Sequence, residues 1–130
     1  MIILTIRTDK PEAEIGLFDG QQQLAYEKWQ AHRVLAETIH QKIGALLKSQ
    51  GKNWTDIDGV VCFQGPGSFT GLRIGLSVGN ALGYSLATPI VATQDNDWIQ
   101  KGIARLQNGD HNKLALPIYG SPVHITQPRQ

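Results

Sequence analysis

The sequence predicts an α/β domain in which a mixed β-sheet is flanked by helices, and three observations carry that expectation. The first 30 residues hold a β-branched, apolar stretch followed by two in which apolar and polar positions alternate. After residue 31, apolar residues return at helical spacing in three longer segments. Between those segments lie the short apolar runs "GVVCFQ" and "PIVAT", which suit strands covered on both faces.

Each element follows from its own stretch. "IILTIR" (2–7) is an opening strand, and "EAEIGLFDGQQQLAYEKW" reads as two strands joined at Asp19-Gly20, a hairpin turn signal. From about Ala31 to Gln50, Leu35, Ile39, Ile43, Leu46 and Leu47 form one stripe of a first helix, which Gly51 stops. "GVVCFQ" (59–64) is a buried strand. A second helix runs from residue 69 to about 87 and ends before Thr88-Pro89, where proline disfavours helix at the preceding residue. "PIVAT" is a further strand. "DNDWIQKGIARLQNG" is a third helix, about 95–108, with Asp95, Asn96 or Asp97 as its N-cap and Asn108-Gly109 as its stop. The chain reads as one domain over 1–130: a core of 1–93, the third helix, and a tail of 109–130.

Composition excludes several function classes. Twelve Lys plus Arg against eleven Asp plus Glu give a net charge of +1, and the basic residues are scattered from Arg7 to Arg129. Without a basic stripe, direct binding of nucleic acid is disfavoured. The single cysteine, Cys62, lies in an apolar run and reads as a buried thiol. The start "MIILTIRTD" has no basic n-region, and no segment approaches the roughly 20 apolar residues that span a bilayer, so a cytoplasmic protein without membrane contact is expected.

The stretch "GPGSFTGLRIG" (65–75) joins a buried strand to a helix, where backbone N–H groups commonly bind anions. A Walker A loop would need a lysine after the closing glycine, and none stands there. Gly65, Gly67 and Gly71 come nearer to a dinucleotide fingerprint, but the last spacing is one residue too long. A nucleophile elbow centred on Ser68 would need glycines where Pro66 and Thr70 stand, so Ser68 reads as the helix N-cap. Along the helix, Gly71, Gly75, Gly79 and Gly83 recur every fourth residue. Each costs about 1 kcal/mol relative to alanine, and close approach of another backbone is the usual compensation. On another face, Thr70, Arg73, Ser77, Asn80, Ala81 and Tyr84 form a mixed stripe that suits either a partner helix or plain solvation.

These residues resemble the signature of the TsaB (YeaZ) family, bacterial proteins of threonylcarbamoyladenosine synthesis in tRNA. The similarity runs from Ile2 to about Thr93, and the tail "LPIYGSPVHITQPRQ" also resembles the family's C-terminal end. The chain reads as a short form lacking most of the second domain. The resemblance implies half of an actin-like ATPase (ASKHA, RNase H-like) module. It implies a non-catalytic scaffold subunit that pairs with the paralogue TsaD, which holds the metal and transfers the threonylcarbamoyl group, so that tRNA is met only indirectly. It leaves room for a TsaE-type ATPase and for a homodimer through the same helices. Carried over, the partner interface would comprise His32, Val34, Leu35, Thr70, Arg73, Ile74, Ser77 and Tyr84. Gly65, Pro66, Gly67 and Ser68 would form a structural turn, and Gly71, Gly75, Gly79 and Gly83 a closely packed helix face.

No catalytic group, cofactor or metal is expected in this chain. Relatives carry an aspartate near the end of the first strand, where Arg7 stands here, with Asp9 two positions on. The metal motif of TsaD places two histidines four apart on a helix, whereas His32 and His40 are eight apart, about 80° round. The rival reading is a small nucleotide-binding enzyme that uses the Gly65–Gly71 turn and Arg7 against phosphate.

Overall fold

The structure is a computed structural model that describes residues 1–67 and 69–110. The expectations for Ser68 and for the tail beyond residue 110 lie outside the described residues. Five strands form one sheet in the order β3-β2-β1-β4-β5. β1 (Ile2–Arg7), β2 (Glu12–Asp19) and β3 (Gln22–Gln30) form an antiparallel meander, and β4 (Gly59–Phe63) and β5 (Ile90–Thr93) extend it in parallel on the far side of β1. The β2–β3 loop has two residues, with φ +56° at Gly20, the first position of a tight hairpin where glycine is favoured.

Three helices cover the sheet: α1 (Leu35–Ser49), α2 (Phe69–Ser85) and α3 (Trp98–Gln107). Side-chain alternation along β4 assigns their faces. Val60 and Cys62 point at α2, while Gly59 and Val61 point at α3 on the opposite side. α1 lies beside α2, over β2 and β3. The core is continuous through the sheet and takes in Ile3, Leu4, Ile6, Ile15 and Leu17 from the meander and Val60, Val61 and Val91 from the parallel half. The stripe expected on α1 is the buried one: Leu35, Ile39, Ile43, Leu46 and Leu47.

The first helix starts later than the sequence predicts. Residues His32–Val34 form one 3-10 turn, and His32 has φ +42°. No side chain caps α1. Instead the N–H groups of Ala31 and His32 both donate to the carbonyl of Pro11, each at 3.0 Å. The segment is thus tied to the β1–β2 turn, a tertiary constraint that overrides the local helical pattern. At α3 the N-cap position is Asp97, whose carboxylate makes no cap bond and instead pairs with Lys101 at 3.3 Å.

Candidate functional site

The glycine-rich turn is pinned from two sides. The Thr8 hydroxyl donates to the carbonyl of Gly71 at 2.7 Å, and Gln94 Nε2 donates to the carbonyl of Gly65 at 3.2 Å. The Gly65–Pro66 peptide is cis. Gly67 lies so close to Asp9 that a methyl group there would overlap the aspartate side chain. Asp9 is itself held by Arg7, whose Nε and Nη2 donate to its two carboxylate oxygens at 2.8 and 3.2 Å. The same guanidinium lies 3.9 Å over the ring of Phe63. The Asp9 bond and charge hold Arg7 above its usual range despite partial burial. The turn therefore faces a carboxylate rather than a free cation, and Arg7 is already engaged at both oxygens. That chemistry is poorly suited to a phosphate.

α2 has two faces of different character. Gly75, Gly79 and Gly83 look inward, and what approaches them is this chain's own sheet. A methyl group on Gly75 would collide with Thr8, one on Gly79 with the Cys62 sulfur, and one on Gly83 would stand 3.2 Å from the carbonyl of Thr88. The expected close packing is thus against strand side chains and the chain that leads into β5. Outward, Thr70, Arg73, Ser77, Ala81 and Tyr84 are exposed, Tyr84 by 91%.

Between α1 and α2 runs a groove. One cavity of about 500 Å³ is lined by Ala36 and His40 from α1 and by Thr70, Arg73, Ile74, Ser77 and Val78 from α2. A second, of about 300 Å³, lies at the α2 amino terminus against Lys10, Pro11, Ala31, His32, Arg33 and Leu35. Of the interface residues expected from the sequence, His32, Thr70, Arg73, Ile74 and Ser77 border this groove. Val34 and Tyr84 are exposed beyond its lining, and Leu35 turns inward, 3% exposed, as part of the floor. The groove also takes Lys10 and Arg33, which the sequence reading did not name, and His40, which it weighed only as a metal ligand. His40 faces Trp54, ring centroids 6.2 Å apart, and His32 stands at the other cavity, so the two histidines do not converge. Among the described residues no group of three or more His, Cys, Asp or Glu side chains is placed to hold a metal ion.

A model of the family described as "TsaD: tRNA N6-adenosine threonylcarbamoyltransferase" matches residues 29–111, the stretch that contains α1, β4, α2, β5 and α3. The chain belongs to this family. Within it, the chain is homologous to both TsaD and TsaB/YeaZ proteins. It is 30% identical to the tRNA N6-adenosine threonylcarbamoyltransferase of Geotalea uraniireducens, over 73% of this chain and 28% of that protein. It is 29% identical to the tRNA threonylcarbamoyladenosine biosynthesis protein TsaB of Escherichia coli, over 88% of this chain and 49% of that protein. Among solved structures, YeaZ from Pseudomonas aeruginosa superposes with a TM-score of 0.68 at 25% identity, covering 83% of this chain and 50% of that one. The chain therefore spans about half the length of these TsaB and YeaZ relatives and about a quarter of that TsaD. Thermus thermophilus RuvC, at 11% identity and a TM-score of 0.53, shares the fold alone. The mixed five-stranded sheet with flanking helices is thus of the RNase H-like, actin-like ATPase type.

Proposed function

We propose that this TsaB-like chain is a non-catalytic subunit of the tRNA threonylcarbamoyladenosine machinery, and that it docks a TsaD-type threonylcarbamoyltransferase through the groove between α1 and α2. The observation that carries this reading is the outward face of α2. Thr70, Arg73, Ser77 and Tyr84 are exposed on a helix whose other side is already packed on the sheet, and Ile74 and Val78 lie half-buried beside the groove. A surface of mixed apolar and polar residues around a preformed groove suits a helix from another protein. TsaB and TsaD homology supports a part in threonylcarbamoyladenosine synthesis, and a TsaD-type partner is our reading of it. The metal chemistry would then reside in the TsaD-type protein, with tRNA met through it, and a TsaE-type ATPase would join that assembly.

The rival nucleotide-binding reading is weakened by the turn itself, where Asp9 stands against Gly67 and occupies Arg7. Native mass spectrometry of the chain with the TsaD-type protein of the same organism tests the proposal. A one-to-one complex is expected, and the sole appearance of separate proteins would refute it. Calorimetric titration with ATP, ADP and NAD is expected to give no saturable heat.

A further inference from the structure

Asn108-Gly109, the stop of α3, carries a covalent chemistry that the docking reading leaves unused. No other asparagine of the chain precedes a glycine. Glycine has no side chain to shield its amide nitrogen, so at this pair the nitrogen can reach the preceding side-chain amide. In mildly alkaline water the Gly109 nitrogen hands its proton to hydroxide and bonds to Asn108 Cγ. The Cγ–Nδ2 bond breaks, and ammonia leaves with a proton taken from water. The five-membered imide then adds one water. Opening at Cγ gives aspartate, and opening at the main-chain carbonyl carbon gives isoaspartate, whose backbone is longer by the side-chain methylene. Asn108 and Gly109 are both exposed, so water and hydroxide have access to them.

The fold holds the pair out of reaction. Gly109 has φ +78°, and its N–H donates to the carbonyl of Leu106 at 3.0 Å, while the N–H of Asp110 donates to the carbonyl of Arg105 at 2.8 Å. These two bonds close α3 as a Schellman cap with glycine at the left-handed position. The nitrogen that must attack is therefore engaged as a donor, and with Asn108 at ψ 2° it is turned away from the asparagine side chain. Arg105 latches the cap a second time, because its Nε donates to Asp110 Oδ2 at 2.8 Å. Its Nη1 also donates to the carbonyl of Ala92 on β5, an edge strand of the sheet, at 3.3 Å.

We propose that Asn108 is a deamidation site gated by the α3 cap, converting only when the Gly109 and Asp110 bonds open, and that the product keeps the cap from closing again. Isoaspartate lengthens the backbone between Asn108 and Gly109, so the N–H groups of Gly109 and Asp110 no longer meet the carbonyls of Leu106 and Arg105 together. Aspartate places a negative charge at the carbonyl end of α3, two residues from Asp110, where the helix dipole disfavours it. Either product loosens Arg105, and the change passes through the Ala92 bond to the edge of the sheet. Opening and modification thus reinforce each other in one direction.

The test is incubation of the full chain in mildly alkaline buffer, followed by intact mass and by peptide mapping that separates aspartate from isoaspartate. Wild type, Arg105→Gln and Asn108→Gln are compared, with wild type in urea as the ungated reference. Folded wild type should gain the mass of one deamidation at Asn108, several-fold more slowly than in urea. Arg105→Gln, at a half-buried side chain, should convert several-fold faster than wild type. If that variant fails to melt cooperatively, Asp110→Ser removes the same ion pair from the exposed side and carries the same expectation. Asn108→Gln should gain nothing at that position. Aged wild type should melt below fresh protein, and aged Asn108→Gln should not. Conversion in urea with none at Asn108 in the folded chain would overturn the site. Equal rates in buffer and in urea, or latch variants that convert no faster than wild type, would overturn the gate.

Discussion

Gly75→Ala puts one methyl group where α2 presses on the end of β1, and its effect can be worked from the contacts there. The new carbon would overlap the Thr8 hydroxyl and lie 3.0 Å from Thr8 Cγ2 and 3.1 Å from its Cβ. Thr8 is 2% exposed and donates to the carbonyl of Gly71, so it cannot yield without breaking a partly buried hydrogen bond. Overpacking of this kind costs about 1–3 kcal/mol. Loss of the bond adds about 1–3 kcal/mol for the group left unsatisfied. The better helix propensity of alanine returns about 1 kcal/mol. The net expectation is a loss of about 1–5 kcal/mol, read as a fall of roughly 5 °C or more in Tm by calorimetry. Thr8→Ala removes both the hydroxyl and Cγ2, so the double variant Thr8→Ala/Gly75→Ala should be more stable than the sum of the single effects by about 1–2 kcal/mol. A Gly75→Ala protein as stable as wild type, or strict additivity in the cycle, would refute the claim that this face of α2 is glycine because of β1.

Further expectations follow from other contacts. Burial pushes the Cys62 thiol up to about 12 from its ordinary 9.0, so the unfolded chain loses that proton first and stability falls as pH rises from about 9 to about 12. The slope is about 1.4 kcal/mol per pH unit, and urea midpoints for Cys62→Ala, although lower at pH 7, should decline less steeply over that window. Tyr26, raised by burial and by its 2.6 Å bond to Glu14, adds a loss of the same sign that begins as pH passes about 10, within that window. Arg7→Ala strands the largely buried Asp9 carboxylate and should cost about 1–3 kcal/mol in chemical denaturation, more than the double change Arg7→Ala/Asp9→Ala. Tyr84→Ala, at a 91% exposed position, should alter stability by less than about 0.5 kcal/mol while weakening the complex with the TsaD-type partner in native mass spectrometry.

Much of this fold can be read locally, because burial repeats at the period of the element that carries it. Ile39, Ile43 and Leu47 are core for that reason, and a glycine after Asp19 marks the hairpin. What the pattern does not specify is which surface an element meets. A glycine at every fourth position calls for a close neighbour, but a partner helix and the chain's own sheet satisfy it equally. Only the placement of Thr8, Cys62 and Ile90 shows that the neighbour is the sheet. Leu35 posed the same ambiguity, since it belongs both to the α1 stripe and to the expected interface; its packing puts it on the core side. Lys10 and Arg33 were illegible as groove residues because they come from separate loops. They are brought together by the paired N–H bonds from Ala31 and His32 to Pro11.

The division of α2 into an inner glycine face and an outer docking stripe makes the fold and the proposed function separable by mutation. α2 seats Gly75, Gly79 and Gly83 on the sheet side together with Leu72, Leu76 and Leu82, whereas α1 buries only Leu and Ile. Gly79→Leu would drive a large side chain against Cys62 and Ile90, and its first consequence should be loss of folding, visible as lost cooperative melting. It is therefore a poor probe of docking. Arg73→Gln touches no core atom and should leave Tm within about 1–2 °C of wild type while weakening association with the partner. If Arg73→Gln lowered Tm as much as Gly75→Ala does, the two faces would not be independent, and loss of binding by stripe variants would report on folding alone.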